Sequence, residues 1–292
     1  MTEWSSDALW NKGVVYIKRA FSEDRRSDTF PFLASLGLEF LARSSLAKVH
    51  PALLADPQDG ANILYAFGFP ATSRPMMIPA KALFHRLRYV VPDATDEDVN
   101  FCLNFSDLRN KEVHTGEFAF TGFTTGKWLP QYYRVLTKLV AHLGRSLGDI
   151  LSADEASLAQ STIEDAEEAT RKSVLKRIGE LKSKISILQP EELQARRDAS
   201  GVNFLFVGYA SGKAIFAKGC PCCESAGQLH ADRIGSTPPK LQEGEIVSQS
   251  LYWPTKFSCD VCSLVLGGYS ELSVVNLGDQ IIQDDKDDDL SP

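Results

Sequence analysis

In the run SDLRNKEVHTG, residues 106–116, an arginine, an asparagine and a histidine fall within six positions. These types suit phosphodiester cleavage without a metal. Arg109 can hold both nonbridging oxygens of a phosphate and stabilise the charge that grows on it in the transition state. His114 can take the proton of a ribose 2'-hydroxyl or give one to the departing 5'-oxygen, because an imidazole serves as either base or acid. Asn110 can orient either group. If the run is helical, Asn110 and His114 lie on one face at i,i+4, with Arg109 one position round and long enough to reach the same ligand. Acid and base on opposite sides of one phosphate would need a second histidine. A symmetric homodimer bringing two copies of the helix together supplies it.

A plainer reading competes. With 15 arginines and 5 histidines in the chain, Arg-x-x-x-x-His alone is a common coincidence, and the adjacent Asn110 is what sharpens it. Arg109, Lys111, Glu112 and Lys127 would then form a charged surface. His114 would sit near a helix C-terminus, where the helix dipole favours it without any catalytic role.

A second group of residues could do chemistry of another kind. Cys220-Pro221-Cys222-Cys223 and Cys259-Asp260-Val261-Cys262 supply two Cys-x-x-Cys pairs. Four soft thiolates at that spacing suit tetrahedral zinc, with Cys220, Cys223, Cys259 and Cys262 as ligands. A fully bound set leaves no open position, so the Zn2+ would be structural, stabilising a module too small for a large core. An iron–sulfur centre or a redox pair would use the same residue types, and His230 could replace one cysteine. Cys222 is assigned to the knuckle loop and Cys102, alone in an apolar helical context, to a core.

The elements that must position these groups fall into parts. Residues 1–152 read as a helical domain, with helices over Asp7–Phe21, along the apolar stretch from Phe30, and over Pro79–Val90. Another begins at Thr95, where Thr95 and Asp98 form a capping box, and carries the Arg-Asn-His motif to near Gly116. A further helix is expected from about Pro130 to Leu151. Residues 153–200 read as a long helix and linker. Val174, Ile178, Leu181, Ile185 and Leu188 make a narrow apolar seam that could pack on its own domain or pair with a second copy. From 201 to 278 the pattern turns to strands, in VNFLFVGY, KAIFA, EIVSQSLYW and SLVLGGYSELSVV, as a zinc-ribbon-like β module. Residues 279–292 read as an acidic disordered tail. The expected fold class is mainly α, a helical bundle followed by a long helix and a small C-terminal β zinc ribbon.

Composition bounds the rest. The 292 residues are 43% hydrophobic and 24% charged with a net charge of -7, ordinary for a globular chain. Six acidic residues and one lysine in 272–292 carry most of that imbalance. The body is near neutral, which argues against a surface that coats nucleic acid broadly but permits a local anion site. No secretory signal and no apolar run long enough for a membrane span is visible, so the expected location is cytoplasmic. No carboxylate cluster suited to catalytic metal ions is apparent, which disfavours a metal-dependent nuclease acting on DNA.

On the motif LRNKEVH, residues 108–114, and the helical order before it, with Glu39 inside an apolar helix, the chain resembles the HEPN superfamily of small helical domains. Many members are metal-independent endoribonucleases. The resemblance covers roughly residues 7–150 and implies a homodimer whose Arg and His face their mates across a cleft. Cleavage would leave a 2',3'-cyclic phosphate. It makes Arg109 and His114 the catalytic pair, Asn110 the polar residue between them, and Glu39 a supporting group that hydrogen-bonds Arg109. The implied partners are an RNA substrate, a second copy, and a regulatory protein or antitoxin, since toxin, antiviral-defence and RNA-processing members all occur. Other members are inactive. The alternative is therefore a non-catalytic adaptor that binds nucleic acid or protein and carries a structural zinc ribbon.

Overall fold

Ser5 opens the first helix, α1 (Ser6–Ser22), its hydroxyl accepting the Ala8 N–H at 3.3 Å, as N-cap residues do. The computed structural model describes residues 3–70, 74–210, 212–242 and 245–284. The chain divides into two units, Met1–Ala166 and Glu167–Pro292.

In the first unit α1 lies against α2 (Thr29–Val49) at very short range. A methyl group on Gly37 would come within 2.5 Å of Ile17 Cγ1, and one on Gly13 within 2.9 Å of Leu41 Cδ2. Only glycine lets the two backbones approach so closely. Phe30, Leu38, Leu41 and Leu46 of α2 are fully buried, which fixes the rotation of α2 and, with it, the direction of Glu39. Next come α3 (Gly60–Ala66), a helix not foreseen from the sequence, and α4 (Ala80–Val90), which starts just after Pro79 as expected.

α5 (Asp96–His114) begins with the anticipated capping box. The Thr95 hydroxyl accepts the Asp98 N–H while the Asp98 carboxylate accepts the Thr95 N–H. Asp98 also receives Arg134 at 3.1 Å and Lys138 at 2.6 Å, both from α6 (Thr125–His142). Burial alone would raise the Asp98 carboxyl, but Lys138 and Arg134 outweigh it and hold the group below the ordinary carboxylate range. Farther along α5, Phe105 packs among Phe120, Phe123, Trp128 and Tyr132. α6 differs from expectation at both ends. Pro130 lies inside it, and it stops at His142, with Gly144 just beyond in the left-handed region at φ 73°.

α7 (Ala153–Ser186) spans the boundary between the units. In the second unit its seam residues Val174 and Ile178 are buried, with Leu181 and Ile185 packed beside them, against Leu264, Leu266 and Phe257. Arg177 adds bonds to Val265 O at 2.9 Å and Glu271 at 2.6 Å. Of the two roles open to that seam, this is packing within its own unit. α8 (Pro190–Ser200) follows.

The strands are β1 (Val207–Ala210), β2 (Lys213–Gly219), β3 (Ala226–Ser236), β4 (Lys240–Gln242), β5 (Glu245–Val247), β6 (Gln249–Cys259), β7 (Leu264–Gly267) and β8 (Ile281–Asp284), with α9 (Gly268–Ser273) after β7. A six-stranded antiparallel sheet runs β1-β2-β3-β6-β7, with β8 also paired to β6, and β4 and β5 form a separate hairpin.

The expected fold class is corrected here. The described residues are 55% helix and 17% strand, and the sheet makes the protein a mixed α/β one rather than a mainly α one with a small ribbon. Two strands account for most of the difference. β3 alternates buried Leu229 and Ala231 with half-exposed His230 and Asp232; its polar face disguises it as a loop between the cysteine pairs. β8 lies within the stretch expected to be a disordered tail, yet Ile281–Asp284 pairs with β6 residue by residue. The rest of the acidic run, 285–292, lies outside the described residues. The strand expected through Val275 stops at Gly267, because Gly268, at φ 72°, turns the chain into α9.

Candidate functional site

Along α5 the buried residues Val99, Cys102, Phe105 and Ser106 recur at helical spacing, and Arg109 is the next position on that stripe. Its side chain is therefore drawn inward, with 19% of its surface exposed. Asn110 and His114 are turned one position round and lie exposed. Position on the helix thus separates the three polar groups, one half-buried and two open to solvent.

Glu39 of α2 meets Arg109. The carboxylate Oε2 accepts a hydrogen bond from Arg109 Nη2, and Ser106 Oγ lies 3.4 Å from the same nitrogen. Seventy residues separate the two charged partners in sequence. Glu39 does more than expected, because its other oxygen, Oε1, accepts from Arg43 Nε at 3.1 Å and Nη2 at 2.7 Å. Arg43 Nη1 donates in turn to Ile78 O at 3.2 Å. One carboxylate therefore bridges two guanidinium groups. Arg109 Nε is buried and makes no hydrogen bond. Arg43 was missed in the sequence; its signal was the i,i+4 spacing from Glu39, the geometry of a helix-surface ion pair.

Three other histidines lie in this unit, and of these His85 is exposed on α4. His50 Nδ1 caps the turn at Pro51–Leu54 by accepting the Ala52 N–H at 3.0 Å. His142 Nε2 lies 3.2 Å from Ser45 O.

In the second unit, Cys220 and Cys223 lie in the turn after β2, and Cys259 and Cys262 at the turn after β6. β3 pairs with both β2 and β6, so the two turns fall at the same end of the sheet. The four sulfurs all lie within 4.8 Å of one another, buried, and could hold a metal ion. Both turns are built alike. The N–H of Glu224 bonds Cys220 O at 3.0 Å and that of Ser263 bonds Cys259 O at 2.8 Å. Glu224 and Ser263 have φ 63° and 60°. A hydrogen bond to Cys220 pushes the Cys259 thiol up to about 12; a bound cation would reverse that by favouring the thiolate.

Cys222 stands apart from the four. Its Sγ points to Ile178 O at 3.8 Å, as its assignment to the knuckle loop implied. His230, on β3 opposite Lys256, is not in the metal-binding group. Among the described residues no other His, Cys, Asp or Glu group is disposed to hold a metal, and no helix is long and apolar enough to cross a membrane.

Compared with family models, curated proteins and solved structures, the chain matches none of them. Any functional reading therefore rests on its own residues.

Proposed function

We propose that the protein is a metal-independent endoribonuclease of HEPN type that works as a homodimer in the cytoplasm, with a structural Zn2+ on Cys220, Cys223, Cys259 and Cys262. The observation that carries the reading is the joining of Glu39 to Arg109 on the helix that presents Asn110 and His114. A carboxylate inside an apolar helix is costly unless paired, and here its partner is the arginine of the motif. In the proposed reaction the 2'-oxygen attacks the adjacent phosphorus. His114 of one copy takes the 2'-hydroxyl proton, and His114 of the other gives a proton to the 5'-oxygen as its bond to phosphorus breaks. Arg109 holds the nonbridging oxygens as their charge grows, and Asn110 orients the phosphate. The products are a 2',3'-cyclic phosphate and a 5'-hydroxyl. RNA is the substrate, and a regulatory protein or antitoxin would restrain the activity.

One observation favours the second reading, a non-catalytic adaptor that binds nucleic acid or protein. Arg109 already has a carboxylate partner, and a paired guanidinium is a poorer ligand for phosphate. The two readings separate on cleavage of single-stranded and structured RNA in EDTA, with the zinc content of the protein checked afterwards. Arg109→Ala and His114→Ala should each lower the rate by more than about 10³-fold, as loss of a transition-state contact does. Cleavage by both variants at the wild-type rate rules the site out, and a wild type that binds RNA without cutting it establishes the adaptor.

A further inference from the structure

We infer that Arg43 is a positioning residue for Arg109, acting through the carboxylate they share; the inference rests on the ribonuclease reading. An arginine paired with a single glutamate forms a neutral unit with little attraction for phosphate. Glu39 between Arg43 and Arg109 makes a unit of two cations and one anion, so a net positive charge remains for an anionic ligand. The three side chains expose only 11% (Arg43), 15% (Glu39) and 19% (Arg109) of their surface, a setting where water screens charge weakly.

Geometry assigns Arg43 the anchoring part. Its Nε and Nη2 grip Glu39 Oε1 at 3.1 and 2.7 Å, while Nη1 is tied to Ile78 O at 3.2 Å. Both bonds to Glu39 converge on that one oxygen, so the clamp holds Oε1 in place and leaves Oε2 for Arg109. Arg109 donates to Glu39 Oε2 and to Ser106 through Nη2, so the place at which Oε1 is anchored sets where Oε2, and with it the Arg109 guanidinium, is held. Without Arg43, Glu39 would turn wholly to Arg109, neutralise it and leave its direction loose.

A double-mutant cycle tests this, with kcat/KM on an RNA oligonucleotide measured for wild type, Arg43→Gln, Arg109→Lys and the double variant. Arg43→Gln should cost about 10–30-fold in wild type but less than about 2-fold in the Arg109→Lys background, because residues acting as one unit are not additive. Arg43→Lys, which keeps the charge but not the two-pronged grip, should fall between Arg43→Gln and wild type. It also serves as the variant for the cycle if Arg43→Gln does not fold, as judged by circular dichroism. A merely structural Arg43 would lower the melting temperature and cost the same factor in both backgrounds, and that additivity overturns the inference. So does Arg43→Gln cleaving at the wild-type rate while Arg109→Lys does not. If wild type cleaves no RNA, the ribonuclease reading fails first and this inference falls with it.

Discussion

The two units place their reactive side chains by opposite means. In the second, four identical ligands sit on two turns of the same design, brought together by strands that pair directly. Everything that site needs comes from one chain and from short-range geometry. In the first, three different residues share one helix, support for Arg109 arrives from α2 seventy positions away, and Asn110 and His114 stand exposed. A metal centre of this kind can be finished by local structure. The proposed reaction works on both sides of a phosphate, so a single copy would leave that site unfinished, and its arginine is held by charge rather than by ligation.

The largest effect should come from breaking the self-contained site. Cys259→Ser removes one of the four buried sulfurs that could hold a metal ion and, with it, the proposed tie between the two turns. Binding energy at such centres is folding energy, so the second unit should lose more than about 4 kcal/mol and bind well under one metal per chain. Metal analysis of freshly purified protein and a thermal melt read both. A variant with full metal content and an unchanged melt would remove this side of the comparison.

The next test concerns the charge-held unit. Asp98 ties the start of α5 to Arg134 and Lys138 of α6. Asp98→Asn takes from Lys138 and Arg134 the carboxylate they share, while Arg134 keeps Glu97 at 3.0 Å and Lys138 keeps Asp93 O at 2.7 Å, so the change should cost about 2 kcal/mol. The carboxyl is held below its ordinary value of 3.8 in the folded chain. Its contribution is therefore complete above pH 4 or so and is lost as pH falls through the depressed folded value. Urea unfolding at pH 7 and pH 3 should show wild type well above Asp98→Asn at the first and the two drawing together at the second. A difference that grows on acidification would contradict the role given to this carboxylate.

The same contrast explains what could be read from the sequence. Cys220, Cys223, Cys259 and Cys262 were legible because like ligands at fixed spacing allow few geometries. The capping box at Thr95 and the helix carrying Arg109, Asn110 and His114 were legible for the same local reason. Glu39 was visible only as a charge out of place in an apolar helix, and its link to Arg109 came from a resemblance rather than from spacing. Arg43 was invisible because an i,i+4 ion pair looks the same on any helix surface until burial is known. The extent of the sheet was misjudged where β3 carries a polar face and where β8 lies next to an acidic run; pairing with β6, which single-strand patterns do not encode, decides both.

The smallest effect tests whether the two cysteine turns are as equivalent as their hydrogen bonds suggest. Glu224 and Ser263 each follow the second cysteine of a pair in the left-handed region, where a side chain is strained and glycine is not. Glu224→Gly and Ser263→Gly should each relieve that strain and raise stability by about 0.5 kcal/mol, less than the full relief because glycine also loses more freedom on folding. Ser263 is the more telling position, since its short side chain has little else to lose. Thermal melts of the metal-loaded variants should move up together, with metal content unchanged. If one rises and the other falls, the side chain of the second makes a contact that outweighs its backbone strain. The two turns would then be alike in backbone but not in energy.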